Sequence, residues 1–202
     1  VEAVYMAADD RAKYSGDPNH VEIPLDRLLS EEYAAERAAE IDPIRTAGPP
    51  PERWNRSRVD HPPEGVKDEY STGLTTHFAT ADSEGNVVTI TQSLGSAFGS
   101  AVVAGDTGIF MNNMCKWFDI DAGSDSPNLI GPGKQEDFCI APGQIYEDAA
   151  DGSGDKKIRM SISTPGSWGI LHTTAQMMHH HIDAGMNVQE AIEAPRFRHY
   201  DT

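Results

Sequence analysis

Thr75 is the residue of this chain best placed to do chemistry. It sits in Gly73-Leu74-Thr75-Thr76-His77-Phe78, where a proline-rich, charged stretch gives way to residues that alternate. A threonine hydroxyl is a weak nucleophile near neutral pH and needs a base beside it. If the Leu74–Thr75 bond is cut, Thr75 becomes a chain start, and its own α-amino group can take the proton. Such an amine titrates near about pH 8, so part of it is unprotonated at neutral pH and no His–Asp relay is required. In that cut Thr75 Oγ itself attacks the carbonyl of Leu74. A Thr-Thr pair also suits an ordinary strand, because β-branched residues favour extended backbone. Spacing alone leaves both readings open.

Other reactive side chains point elsewhere. His179-His180-His181 is consecutive, and neighbours on a helix project about 100° apart, so the three cannot share one tetrahedral metal site. They read as an exposed helix face. Cys115 and Cys139 lie in no paired ligand motif and read as two free buried thiols, with a single bridge as the alternative. Thr164-Pro165-Gly166-Ser167 reads as a turn between a strand and a helix.

The elements that must position Thr75 change character at that residue. Residues 1–14 carry apolar groups at helical spacing, and Gly16 and Pro18 stop the helix. Val21 to Leu29 holds a short apolar patch. Ser30 is the expected cap of a second helix, with Glu31 and Glu32 in its first turn, running to about Ile41. Residues 46–73 are rich in proline and charge and read as an exposed connector. From Thr76 the period becomes two: 76–82 and 86–93 flank Ser83-Glu84-Gly85-Asn86, a hairpin signal. Residues 107–112 are expected to form a third strand and 157–163 a fourth, with 119–155 mostly loop. Gly169 to Ala184 reads as an amphipathic helix closed by Gly185. Asn187 with Glu190 forms a capping-box pattern for a last helix, which Pro195 ends. No internal repeat is present. This order fits an α+β fold, an antiparallel sheet covered by helices.

The chain has 202 residues, with 32 Asp plus Glu against 16 Lys plus Arg, a net charge of −16. That balance argues against nucleic acid and anionic membrane as partners. No apolar run approaches the ~20 residues of a membrane span. The chain opens on Val1 without an initiator Met and is expected to be a fragment, so its localisation is left unknown.

Many short matches fall in one order. Thr75-Thr76-His77-Phe78, Asp82, Gly85-Asn86, Phe98-Gly99, Gly108-Ile109, Asn112-Asn113, Pro142, Pro165-Gly166 and Ala194-Pro195-Arg196-Phe197 resemble the small-subunit opening of the γ-glutamyltranspeptidase family of N-terminal nucleophile hydrolases. Leu28-Leu29-Ser30-Glu31-Glu32-Tyr33-Ala34 and Arg37-Ala38 resemble the end of that family's large subunit. The resemblance implies a four-layer αββα sandwich, autocatalytic cleavage before Thr75 and an acyl-enzyme on Thr75 Oγ. It implies three pieces: residues 1–45 from the large subunit, a pre-cleavage linker over 46–74, and the small subunit over 75–202. Ser93 stands where a family threonine supports the nucleophile. Gly166 and Ser167 stand where a Gly-Gly pair supplies oxyanion N–H groups. No cofactor or metal is called for. The partners implied are a small-molecule amide or γ-glutamyl-type substrate and the remainder of the large subunit. By family analogy the compartment is periplasmic or extracellular.

The resemblance fails where the family grips the glutamyl zwitterion. Gly95 replaces an Asn, Met114 a Gln or Glu, and Trp117 an Asp, while Phe138 and Cys139 replace a Ser-Ser pair. Each swap removes polar or charged character, and an unpaired buried charge is costly. A less polar acyl group or a small amide is therefore the expected substrate rather than glutathione. The alternatives are that these residues are core or lid, or that the chain is an unprocessed, non-catalytic binding or structural homologue.

Overall fold

The computed structural model describes residues 1–44, 75–121, 123, 125–150 and 152–198. The expected connector over 46–74 and the Leu74 side of the cleavage point lie outside the described residues. Helix and sheet are mixed, and the chain divides into two compact units. One takes residues 1–44 with 115–138. The other takes 75–114 with 139–198. Among the described residues no helix is long and apolar enough to cross a membrane.

The first unit holds α1 (Glu2–Tyr14), α2 (Leu25–Leu28) and α3 (Glu31–Ala39). Ser30 caps α3 as expected: its Oγ accepts the Tyr33 N–H at 3.1 Å. Buried Tyr33 ties α3 to α1 by donating to Asp10 at 2.8 Å, and the Arg27 guanidinium lies over its ring. The 125–138 strap is fixed to the end of α1 by two carboxylates. Asp137 accepts from Arg11 at 2.6 Å and from Ser15 at 2.8 Å. Asp17, 3% exposed, accepts the backbone N–H of Gln135 and of Asn19, each at 2.9 Å. The N–H groups of Gln135 and Asn19, then His20, favour its anion and hold its pKa at about 2. Gly16 is obligatory here, since a Cβ would stand 2.5 Å from the Pro127 carbonyl oxygen.

The second unit contains two antiparallel pairs. β1 (Thr75–Ala81) pairs with β2 (Val87–Ser93), and β3 (Gly143–Asp148) with β4 (Lys156–Ile162). Asp82 organises the first hairpin, its Oδ1 accepting from the Glu84 and Asn86 N–H groups. Gly85 takes φ +87°, the left-handed region that glycine enters freely. Side chains stitch the two pairs together: Thr89 Oγ1 bonds Ser161 Oγ at 2.8 Å and accepts from Gln144 Nε2 at 2.9 Å. α4 (Gly169–Ile182) buries Ile170, Thr174 and Met177, and α5 (Val188–Glu193) buries Ala191. The Asn187–Glu190 capping box is present at the start of α5.

Several expectations are corrected. Residues 107–112 form no strand. Gly105 and Gly108 both have positive φ, and the segment folds back through Ala104–Ile109 and Val102–Met111 backbone bonds into an irregular turn, with one isolated bridge between Val103 and Phe110. β3 lies inside the stretch expected to be loop. It is short, starts on a glycine, and carries a register shift at Ile145/Tyr146 that breaks the alternation. The histidine run is not a uniformly exposed face. His179 bonds Asp183, whereas His180 and His181 are half-buried and bond the carbonyls of Ala191 and Met186. Neither cysteine is in a disulfide; Cys139 is buried, but Cys115 is exposed.

Candidate active site

Thr75 opens β1 and stands opposite Ser93, the last residue of β2, in the ladder register. Directly opposed side chains on one face of an antiparallel pair come within bonding reach. Here Thr75 Oγ1 donates to Ser93 Oγ at 3.1 Å. The next rung on the same face is also polar: His77 Nδ1 bonds Thr91 Oγ1 at 2.9 Å. Ser93 Oγ takes a second donor, the Gly95 N–H at 3.0 Å. Thr75, Ser93 and Gly95 are thus joined by direct hydrogen bonds.

Gly95 has φ +85° and belongs to a turn whose far side is Asn113. Met114, 2% exposed, lies beside it: its Sδ is 3.0 Å from where a Cβ on Gly95 would stand. In the same unit, the loop from β4 to α4 carries Gly166 at φ +136° and Ser167 at φ +55°. Their carbonyls accept the Gly169 and Ile170 N–H groups, starting α4. Their own N–H groups donate to no protein acceptor among the described residues. Two open donors at the positive end of a helix suit a developing negative charge.

The remaining expected site residues fall elsewhere. Trp117 and Phe138 belong to the first unit and pack on each other, ring centroids 5.7 Å apart. The Trp117 carbonyl accepts from Asn128, whose Oδ1 takes the Asp137 N–H. Cys139 belongs to the second unit and has no exposed surface. Leu74 lies outside the described residues. Among the described residues no group of three His, Cys, Asp or Glu side chains is arranged to hold a metal ion.

The Gamma-glutamyltranspeptidase family model matches residues 1–202. The chain belongs to the γ-glutamyltranspeptidase family. It is 34% identical over 206 residues to the glutathione hydrolase proenzyme of Escherichia coli (strain K12), covering 98% of this chain and 33% of that protein. It is 32% identical over 195 residues to the acylase ACY 1 proenzyme of Pseudomonas sp. (strain SE83), covering 96% of this chain and 31% of that protein. The γ-glutamyltranspeptidase from Pseudomonas nitroreducens complexed with L-DON superposes with a TM-score of 0.53 at 27% identity, over 62% of this chain and 65% of that one. The chain therefore spans about a third of the length of the curated relatives it matches.

Against this family background, sequence reasoning missed one residue. It treated Gly95 as the loss of an asparagine. In this γ-glutamyltranspeptidase relative another asparagine occupies the space: a Cβ on Gly95 would lie 2.3 Å from Asn113 Oδ1. The signal for it in the sequence is the Asn112-Asn113 pair.

Proposed function

We propose that this chain carries the nucleophile of an autoprocessing amidohydrolase or acyltransferase, with Thr75 as the attacking residue. The observation that carries it is the Thr75–Ser93 hydroxyl contact at the paired ends of β1 and β2, 3.1 Å, in a member of this family. Processing begins when Thr75 Oγ attacks the Leu74 carbonyl carbon. The peptide C–N bond breaks, an ester forms on Oγ, and water hydrolyses it, freeing the Thr75 α-amine. In turnover that amine takes the Oγ proton as Oγ attacks the substrate carbonyl. The Gly166 and Ser167 N–H groups receive the oxyanion. The amine then passes its proton to the leaving nitrogen, and an acyl ester remains on Thr75. Water or an amine resolves it by the same steps in reverse. An oxyanion donor is worth roughly 3–4 kcal/mol of barrier. The finer architecture proposed is the four-layer αββα sandwich of N-terminal nucleophile hydrolases.

The acyl group favoured is less polar than γ-glutamyl. Gly95 offers no side chain, Met114 is apolar and buried, and Cys139 presents no surface. A zwitterion would find no polar partner on these side chains, and a missing buried partner can cost 10⁴-fold or more in discrimination. Denaturing gels of the full-length protein test the nucleophile. Two bands separating at Leu74–Thr75, reduced to one in Thr75→Ala, support it, whereas one uncut band in active wild type would refute it and one in inactive wild type would indicate an inert homologue. A panel of a γ-glutamyl anilide, simple acyl anilides and small amides tests the acyl group. Strong preference for the γ-glutamyl compound would refute the less polar assignment.

A further inference from the structure

Three bonds from Asn113 bracket Gly95. Its Oδ1 accepts the Ser96 N–H at 3.0 Å, its Nδ2 donates to Ser96 Oγ at 2.8 Å, and its own N–H donates to the Leu94 carbonyl at 3.1 Å. The bracket has no slack, since Asn113 Oδ1 already fills the space beside the Gly95 Cα. Between the bracketed residues lies the one N–H that reaches Ser93 Oγ. We propose that Asn113 is a positioning residue for the Thr75 nucleophile, acting through the Leu94–Ser96 turn on Ser93. This rests on the reading of Thr75 given above.

The physical reason is the limited capacity of one hydroxyl. A serine oxygen has two acceptor sites and one proton. In the structure both acceptor sites of Ser93 Oγ are taken, one by Thr75 O–H and one by Gly95 N–H. When the Thr75 proton passes to the α-amine, the Thr75–Ser93 contact has to reverse, with Ser93 O–H donating to the Thr75 oxygen. The Gly95 N–H stays on Ser93 throughout. It withdraws electron density from that oxygen and makes its proton a better donor, the usual direction of polarisation along a hydrogen-bond chain. Without Asn113 the turn loses both side-chain tethers. The Gly95 N–H is then free to leave Ser93, and the reversal loses its support.

The test is the burst of p-nitrophenol from p-nitrophenyl acetate, read on processed full-length protein and normalised to processed chains. It reports acylation of Thr75 without requiring the natural substrate. Asn113→Ala is expected to slow the burst rate by roughly 10- to 100-fold, the range that displacing a reacting group costs, with KM changed less than about twofold. Asn113→Asp keeps an acceptor for the Ser96 N–H and can accept from Ser96 Oγ, so it is expected to recover most of the rate. In a Ser93→Ala background Asn113→Ala should cost nothing further, because its route to Thr75 is already cut. If Asn113→Ala does not fold, Ser96→Ala, which removes one tether, must slow the burst several-fold. A burst unchanged in Asn113→Ala, or an undiminished further loss on top of Ser93→Ala, overturns the inference and leaves Thr75 intact. Release of p-nitrophenol per total chain that is undiminished in the uncut Thr75→Ala protein, or no release at all from processed wild type, overturns the Thr75 reading and this inference with it.

Discussion

Restoring the family asparagine at position 95 should damage this protein rather than repair it. The new Cβ would stand 2.3 Å from Asn113 Oδ1, 3.0 Å from Met114 Sδ and 3.4 Å from Asn113 Cγ. The first distance is far inside contact, so Asn113 must move, and it cannot move without releasing Ser96. Overpacking of this kind costs about 1–3 kcal/mol. The backbone adds to it, because φ is +85° and an L-residue there loses about 1 kcal/mol even when it is asparagine. Gly95→Asn is therefore expected to destabilise by about 2–4 kcal/mol, measured by urea unfolding against wild type. Most of the steric part should be specific to Asn113, because Met114 Sδ at 3.0 Å lies on a flexible side chain that can give. In an Asn113→Ala background the added cost of Gly95→Asn should fall to roughly the backbone share of about 1 kcal/mol. The burst rate should fall in the single variant, and γ-glutamyl anilide should not become a preferred substrate. A Gly95→Asn protein as stable as wild type, or an equal cost in both backgrounds, would refute the packing on which Asn113 was assigned.

Asp17 makes stability depend on pH in a defined direction. Its folded pKa is about 2 against an ordinary 3.8, so the unfolded chain binds its proton first as pH falls. The stabilisation is complete above 3.8 and is lost as pH drops towards 2. Urea midpoints should fall across that window in wild type and less steeply in Asp17→Asn. Ser167 holds φ +55°, so Ser167→Gly should stabilise by about 1 kcal/mol. It keeps the backbone N–H, so activity should change little; a large loss would assign the Ser167 hydroxyl a role of its own. Asn187→Ala removes a cap that accepts the Glu190 N–H at 3.0 Å and should cost about 1 kcal/mol in thermal unfolding.

What the sequence revealed tracks how local each cause is. The α3 cap at Ser30, the Asn187–Glu190 box and the β1–β2 hairpin depend on neighbours within a few residues, and all three are present. β3 was hidden because its register shift and terminal glycine erase the alternation that marks a strand. The expected strand at 107–112 failed for the opposite reason: Ile109 to Met111 look strand-like, but Gly105 and Gly108 turn the backbone too tightly for a ladder. His180 and His181 became bonded to carbonyls only because the chain returns after Gly185 to bring Met186 and Ala191 beside them.

The candidate site divides along the same line. Thr75 and Ser93 are 18 residues apart, yet a single hairpin register relates them, so the pairing follows from locating one turn. Gly95 and Asn113 are related by a loop of irregular backbone, which no periodicity encodes. A one-for-one comparison with the family therefore saw a side chain vanish at 95, whereas the space beside that Cα is filled from position 113. This matters for what the site can accept. Asn113 spends an acceptor and a donor on Ser96, so its carboxamide is committed to shaping the turn rather than offered whole to a ligand.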